Sequence, residues 1–141
     1  MLGIDFGARR IGLATGNTVT GTARPLYTVR HDGQPLADIE RVIVEWRPER
    51  IIVGLPLAAD GNDTDMSRTA RRFAAEMQAR HAEIPIEFQD ERYTSRMADS
   101  QFARARREGH ARRRDARNLD SVAAAIIVES WLSANAPNGA P

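Results

Sequence analysis

Apolar residues cluster in short runs along the chain, and the spacing within each run names the element. LGIDFG and RIGLATGN are apolar segments separated by Gly7, Ala8 and Arg9, which predicts a strand, a tight turn and a second strand. ARPLYTVR supplies a third short strand. Asp32 and Gly33 end it, and Leu36, Ile39, Val42, Ile43 and Trp46 then recur at helical spacing. Pro48 stops that helix. RIIVGLP, continuously apolar, is the pattern of a strand covered on both faces, and its expected place is the sheet centre.

Beyond the polar loop AADGNDTD, Met66, Thr69, Ala70, Phe73 and Met77 share a second helical face, with capping oxygens offered by Asp63 to Asp65. IEFQDE follows Pro85 as a fifth strand. Thr94 or Ser95 then caps a third helix carrying Met97 and Phe102. From a cap at Asn118, LDSVAAAIIVESWL forms a last helix so apolar that most of its circumference must be covered. Trp46 and Trp131 fall on the apolar stripes of their helices and are assigned to the core. The order of elements predicts an α/β fold: a mixed sheet with helices on its faces.

The 141 residues suit one domain, assigned here to residues 1–134, with 135–141 a flexible C-terminal tail. The chain contains no cysteine, which removes disulfides, thiolate metal sites and cysteine nucleophiles and suits a reducing cytoplasm. No window approaches the roughly 20 apolar residues of a membrane span, so no membrane partner is expected. All twenty basic residues are Arg, balanced to a net charge of +1. Seven of them lie in RARREGHARRRDAR, residues 104–117, a basic patch fit either for phosphates or for a solvated helix end. His31, His81 and His110 are scattered and receive no role.

Four acids stand out. Asp5 interrupts an apolar strand, Asp90 and Glu91 end the fifth strand, and Asp120 opens the last helix. If strands one, four and five run parallel side by side, the ends of one and five bring these acids together. Crowded carboxylates share protons or bind a divalent cation. An oxygen-only donor set favours Mg²⁺ or Mn²⁺, and a pair of such ions suits phosphodiester hydrolysis. Singly, Asp120 could serve its helix dipole, Asp90 a turn, and Glu91 a pair with Arg92. Asp5 lies inside an apolar strand rather than at a cap, so a structural role would demand a buried Arg partner.

LGIDFGARRIGLATGN, IIVGLPLAADG, FQDERYTS and NLDSVAAAIIVESWL, in this order and spacing, resemble the YqgF family of RNase H-like proteins. That family is also described as Holliday-junction-resolvase-like or as pre-16S rRNA nucleases. The resemblance runs from Met1 to about Leu132. It implies a five-stranded RNase H-like sheet, strands 1–3 antiparallel and strands 4 and 5 parallel to strand 1. It also implies a metal site drawn from Asp5, Asp90, Glu91 and Asp120, with catalysis assigned to Asp5, Glu91 and Asp120. Neighbouring strand residues point to opposite faces, so one of Asp90 and Glu91 turns away, and Glu91 is taken as the ligand. Two departures are Asn17, where the family commonly has Asp, and the wholly Arg basic run.

Within this frame Gly7 lets the first turn close, and Gly54 to Leu57 shape a cleft floor. Arg9, Arg10, Arg92, Thr94, Arg112, Arg113 and Arg114 are the candidates for substrate phosphates, with Thr94 equally usable as a helix cap. The leading function is a metal-dependent nuclease acting on structured RNA, the ends of pre-16S rRNA in particular. The alternatives are a resolvase of branched DNA, which would need a homodimer where the RNA enzyme could be a monomer, and a non-catalytic module on ribosomal or transcription complexes. A nucleotide-binding ATPase is disfavoured because a chain of this length holds one copy of the fold.

Overall fold

The first strand, β1 (Leu2–Phe6), pairs antiparallel with β2 (Arg10–Asn17), which pairs antiparallel with the edge strand β3 (Thr22–Arg30). On its other side β1 pairs in parallel with β4 (Ile51–Leu55), which pairs in parallel with β5 (Ile86–Asp90). The sheet order is therefore β3-β2-β1-β4-β5, a mixed five-stranded sheet of the expected kind. Among the described residues, three helices accompany it: α1 (Leu36–Trp46), α2 (Asp65–Arg80) and α3 (Ala116–Ala134). The computed structural model describes residues 1–91 and 116–135, with side chains in α3 from Leu119 onward. The expected helix with Met97 and Phe102, and the tail from residue 136, lie outside the described residues.

The two faces of the sheet are built differently. Leu2, Ile4 and Phe6 of β1, Ile11 and Leu13 of β2, and Ile51, Val53 and Leu55 of β4 point to one side. There they meet Ile39, Val42 and Ile43 of α1 and Phe73 and Met77 of α2 in one apolar core. Most intervening positions on the other side are small, namely Gly3, Gly12, Ala14, Gly16 and Gly54, with Asp5 and Ile52 the larger residues among them. These small residues let α3 lie almost on the strands. A methyl group added at Gly3 would stand 2.1 Å from Val128 Cγ2, and one at Gly16 would stand 2.4 Å from Val128 Cγ1. Ala124 to Val128 are buried without a break, as the composition of this helix requires.

Several details depart from expectation. β4 is an interior strand covered on both faces, but the middle position belongs to β1. Helix α2 is capped by Thr64 rather than by a neighbouring aspartate. The Thr64 hydroxyl accepts from the Ser67 amide and the Ser67 hydroxyl accepts from the Thr64 amide, a reciprocal box. Asp63 instead accepts from the Ser67 hydroxyl. Helix α3 begins at Ala116, so Asn118 lies inside it and is no cap, and Asp120 sits in the second turn.

Trp46 is not a core residue. It is the last residue of α1, and 45% of its surface is exposed where the chain turns away through Arg47 in a left-handed conformation. Trp131 is half-buried beneath the guanidinium of Arg50, 5.0 Å from the ring centre.

Candidate active site

Strand β1 carries Asp5 on the small-residue face, directly opposite Gly12 of β2. Gly12 has no side chain to spare room for: a Cβ there would lie 1.9 Å from the Asp120 carbonyl oxygen. Its absence brings the start of α3, and Asp120 with it, down beside Asp5. Across the sheet, β5 ends at Asp90 and the chain turns at Glu91, whose amide donates to the Leu55 carbonyl. Asp90 pairs in register with Leu55 and so shares the α1/α2 face. Glu91 falls on the opposite side, in line with Gly54, where a Cβ would stand 2.9 Å from the Glu91 carboxyl carbon. The structure thus brings Asp5, Glu91 and Asp120 to one end of the sheet and turns Asp90 away.

The carboxyl groups of Asp5 and Glu91 share a hydrogen bond in which Glu91 is the donor. Burial, then the charge of Asp5, pushes Glu91 up to about 9. Burial also raises Asp5, opposed by the hydrogen bond from Glu91 and reinforced by the charge of Asp120. Asp120 is raised by burial too, with Arg10 working against that shift. Three acids that ionise reluctantly in one place are a set to which a positive charge would bind favourably.

Asp120 already has one such charge beside it. Arg10 Nε lies 3.1 Å from Asp120 Oδ2, although the same oxygen is buried and accepts no hydrogen bond among the described residues. Among the described residues, no three acidic or imidazole groups are gathered closely enough to hold an ion as their side chains stand. Asp5 and Glu91 face each other, while Asp120 is turned toward Arg10. The donor set nevertheless fits a hard divalent cation: all oxygen, mutually repelling, and with a buried oxygen unsatisfied.

A cleft of about 610 Å³ opens over Asp5 and Glu91, walled by Phe6, Pro56, Leu57 and Met66. Thr64 ties its wall to α2, since the hydroxyl that caps the helix donates to the Pro56 carbonyl. The turn after Asp5 is also fastened. His31 Nδ1 accepts from the Gly33 amide, which leaves Nε2 to donate to the Gly7 carbonyl at 2.8 Å. Gly7 is required by close approach, because a Cβ there would lie 2.5 Å from the Arg10 carbonyl oxygen.

Of the expected phosphate ligands, Arg9 and Arg10 stand at this end of the sheet, Arg9 exposed and Arg10 on Asp120. Arg92, Thr94, Arg112, Arg113 and Arg114 lie outside the described residues. Sequence reasoning passed over Gly12, His31 and Arg30. Arg30 ends β3 directly opposite Arg10, so two guanidinium-bearing residues are cross-strand neighbours beside the acids. Alternation of small with large residues along β1 and β2 was the available signal for Gly12. No local pattern marks His31 or Arg30.

The RuvX family, described as Holliday junction resolvase, matches residues 1–134. A protein of Xanthomonas campestris pv. campestris (strain 8004) named "Putative pre-16S rRNA nuclease" is 44% identical over 136 residues, spanning 95% of this chain and 87% of its own. A protein of the same name from Xanthomonas axonopodis pv. citri (strain 306) is 42% identical over the same span. In fold, the chain is similar to T. thermophilus RuvC in complex with a Holliday junction substrate, with a TM-score of 0.59 and 18% identity over 95% of each chain. It is similar as well to the fowlpox virus resolvase bound to Holliday junction DNA, with a TM-score of 0.57 and 8% identity over 94% of this chain and 96% of the other.

Proposed function

Because the chain belongs to the RuvX/YqgF family, we propose that it is a metal-dependent nuclease that hydrolyses phosphodiester bonds at the ends of precursor 16S rRNA. The observation that carries this reading is the pairing of Asp5 with Glu91 at the floor of an open cleft, with Asp120 delivered beside them by Gly12.

Asp5, Glu91 and Asp120 would hold Mg²⁺ or Mn²⁺, as a pair of ions in the full site; Asp90, on the other face, has no part in it. Such ions acidify water and neutralise the oxygen that leaves phosphorus. The chain's own residues do the rest. Phe6, Pro56, Leu57 and Met66 back one side of the cleft with apolar surface, which lowers the local dielectric and strengthens charge interactions against it. Arg9, Arg10 and Arg30 line the side from which a polyanionic backbone would approach. His31 and Gly7 hold the turn between Asp5 and these arginines in one shape. Arg92, Thr94 and Arg112 to Arg114 extend the phosphate contacts in this reading. Hydrolysis adds water across one P–O bond and yields a phosphomonoester and a free hydroxyl.

No described helix is long and apolar enough to cross a membrane, and maturation of rRNA would place the protein in the cytoplasm, on ribosomal particles. The test is cleavage of precursor 16S rRNA with Mn²⁺ by wild type and Asp5→Asn. Cleavage by wild type alone is expected, and full activity in the variant overturns the assignment. A second reading, resolution of branched DNA, is favoured by the family's description. A four-way DNA junction in the same assay separates the two.

A further inference from the structure

We propose that Arg10 and a divalent cation compete for the carboxylate of Asp120, so that Arg10 sets the metal affinity of the site. This inference rests on the metal-site reading above and concerns what one residue of this chain does to it.

Arg10 is the first residue of β2, two positions before Gly12, and alternation puts its side chain on the α3 face. It reaches Asp120 with Nε at 3.1 Å from Oδ2. The contact leaves Asp120 Oδ2 buried and, among the described residues, without a hydrogen bond. This pair is therefore a charge contact with poor hydrogen-bond geometry, the kind that a better cation displaces. Asp120 faces the guanidinium, and with its side chain so placed the three acids are not gathered closely enough, among the described residues, to hold an ion. For Asp120 to serve an ion together with the other two acids, its contact with Arg10 must be given up. Arg10 is 42% exposed at its side chain, the more exposed of the two, whereas Asp120 rides on a packed helix.

Release of Arg10 has a further consequence. Arg30 lies directly opposite on β3, and two guanidinium groups left side by side without a carboxylate repel each other until an anion bridges them. A backbone phosphate is such an anion. Filling the acidic site would thus turn Arg10 from an internal partner into a substrate contact.

Calorimetric titration of Mn²⁺ into wild type, Arg10→Ala, Arg10→Lys, Asp120→Asn and the Arg10→Ala/Asp120→Asn double variant tests this, with Asp5→Asn as control. Arg10→Ala should bind Mn²⁺ about three- to tenfold more tightly, the worth of a partly exposed ion pair and its repulsion of the metal. Arg10→Lys, which keeps the charge, should stay nearer to wild type. In the Asp120→Asn background the Arg10→Ala effect should shrink to within about twofold, since the contested group is gone. Unchanged or weaker binding in Arg10→Ala overturns the proposal. Equal tightening with and without Asp120 overturns it as well, by showing a general field effect. If wild type and Asp5→Asn both bind no Mn²⁺, the metal-site reading itself falls and takes the competition with it. Thermal unfolding of each variant establishes that it is folded, and Arg10→Gln replaces Arg10→Ala if it is not.

Discussion

Gly12 and Asp120 are in backbone contact: the position of an added methyl on Gly12 lies 1.9 Å from the Asp120 carbonyl oxygen and 2.2 Å from its carbon. Nothing flexible can yield there, because the obstacle is the main chain of a helix whose next turns are buried against β1 and β2. The absence of a side chain at one strand position thereby fixes the height of a carboxylate above the sheet.

Gly12→Ala should therefore push α3 outward at its start. The expected cost is about 1–3 kcal/mol in urea unfolding, typical of overpacking. Cleavage of precursor rRNA should fall further than this loss of stability explains, since the protein remains folded at 25 °C while Asp120 is displaced. Full activity in a folded Gly12→Ala protein would mean that the position of Asp120 does not matter.

Stability should depend on pH in a direction opposite to that of an ordinary surface carboxylate. Glu91 titrates near 4.5 when the chain is unfolded and at about 9 when folded. Between those values the folded protein holds a proton that the unfolded chain has released, so rising pH favours unfolding. In EDTA, the melting temperature should drop by roughly 5 °C or more from pH 5.5 to pH 8.5. Mn²⁺ should flatten that slope by compensating the ionised acids. A melting temperature that rises over this range in EDTA would show that Glu91 is not held protonated.

Glu91→Gln separates stability from function. The amide keeps the volume and can still donate to Asp5, but it never ionises. At pH 8 the variant should be more stable than wild type by about 1 kcal/mol, the pattern of a site whose chemistry is costly to the fold. Its cleavage rate should fall by about a hundredfold or more. Paired measurements of melting temperature and rate check both halves, and a variant that is less stable at pH 8 contradicts the crowding of acids described here.

Much of this arrangement was legible in the sequence, because the signals were local. Asp5 within an apolar run, the continuous IIVGL of β4 and the apolar circumference of α3 each carry their own explanation, and the order of elements then fixes the sheet. The misread details depend on tertiary contact. Trp46 fits the apolar stripe of α1 yet is the last residue of that helix and stays exposed. The start of α3 was placed by a capping residue, Asn118, although the helix begins two residues earlier. Arg10 looked like a surface arginine free for phosphate, and only the nearness of Asp120, which Gly12 creates from the far end of the chain, shows its partner.

Thr64 links helix stability to the cleft, and its hydroxyl does two jobs at once. It accepts from the Ser67 amide at 3.1 Å and donates to the Pro56 carbonyl at 2.7 Å. Thr64→Ala removes both bonds and should cost about 1–2 kcal/mol, at the upper end for a lost cap because a partly buried carbonyl also loses its donor. Since Pro56 forms a wall of the cleft over Asp5 and Glu91, the variant should also raise KM for precursor rRNA while leaving kcat within about threefold, as expected when uniform binding is weakened. Thr64→Ser, which retains the hydroxyl, should restore both stability and KM. If Thr64→Ser behaves like Thr64→Ala, the methyl group rather than the hydrogen bonds is what this position contributes.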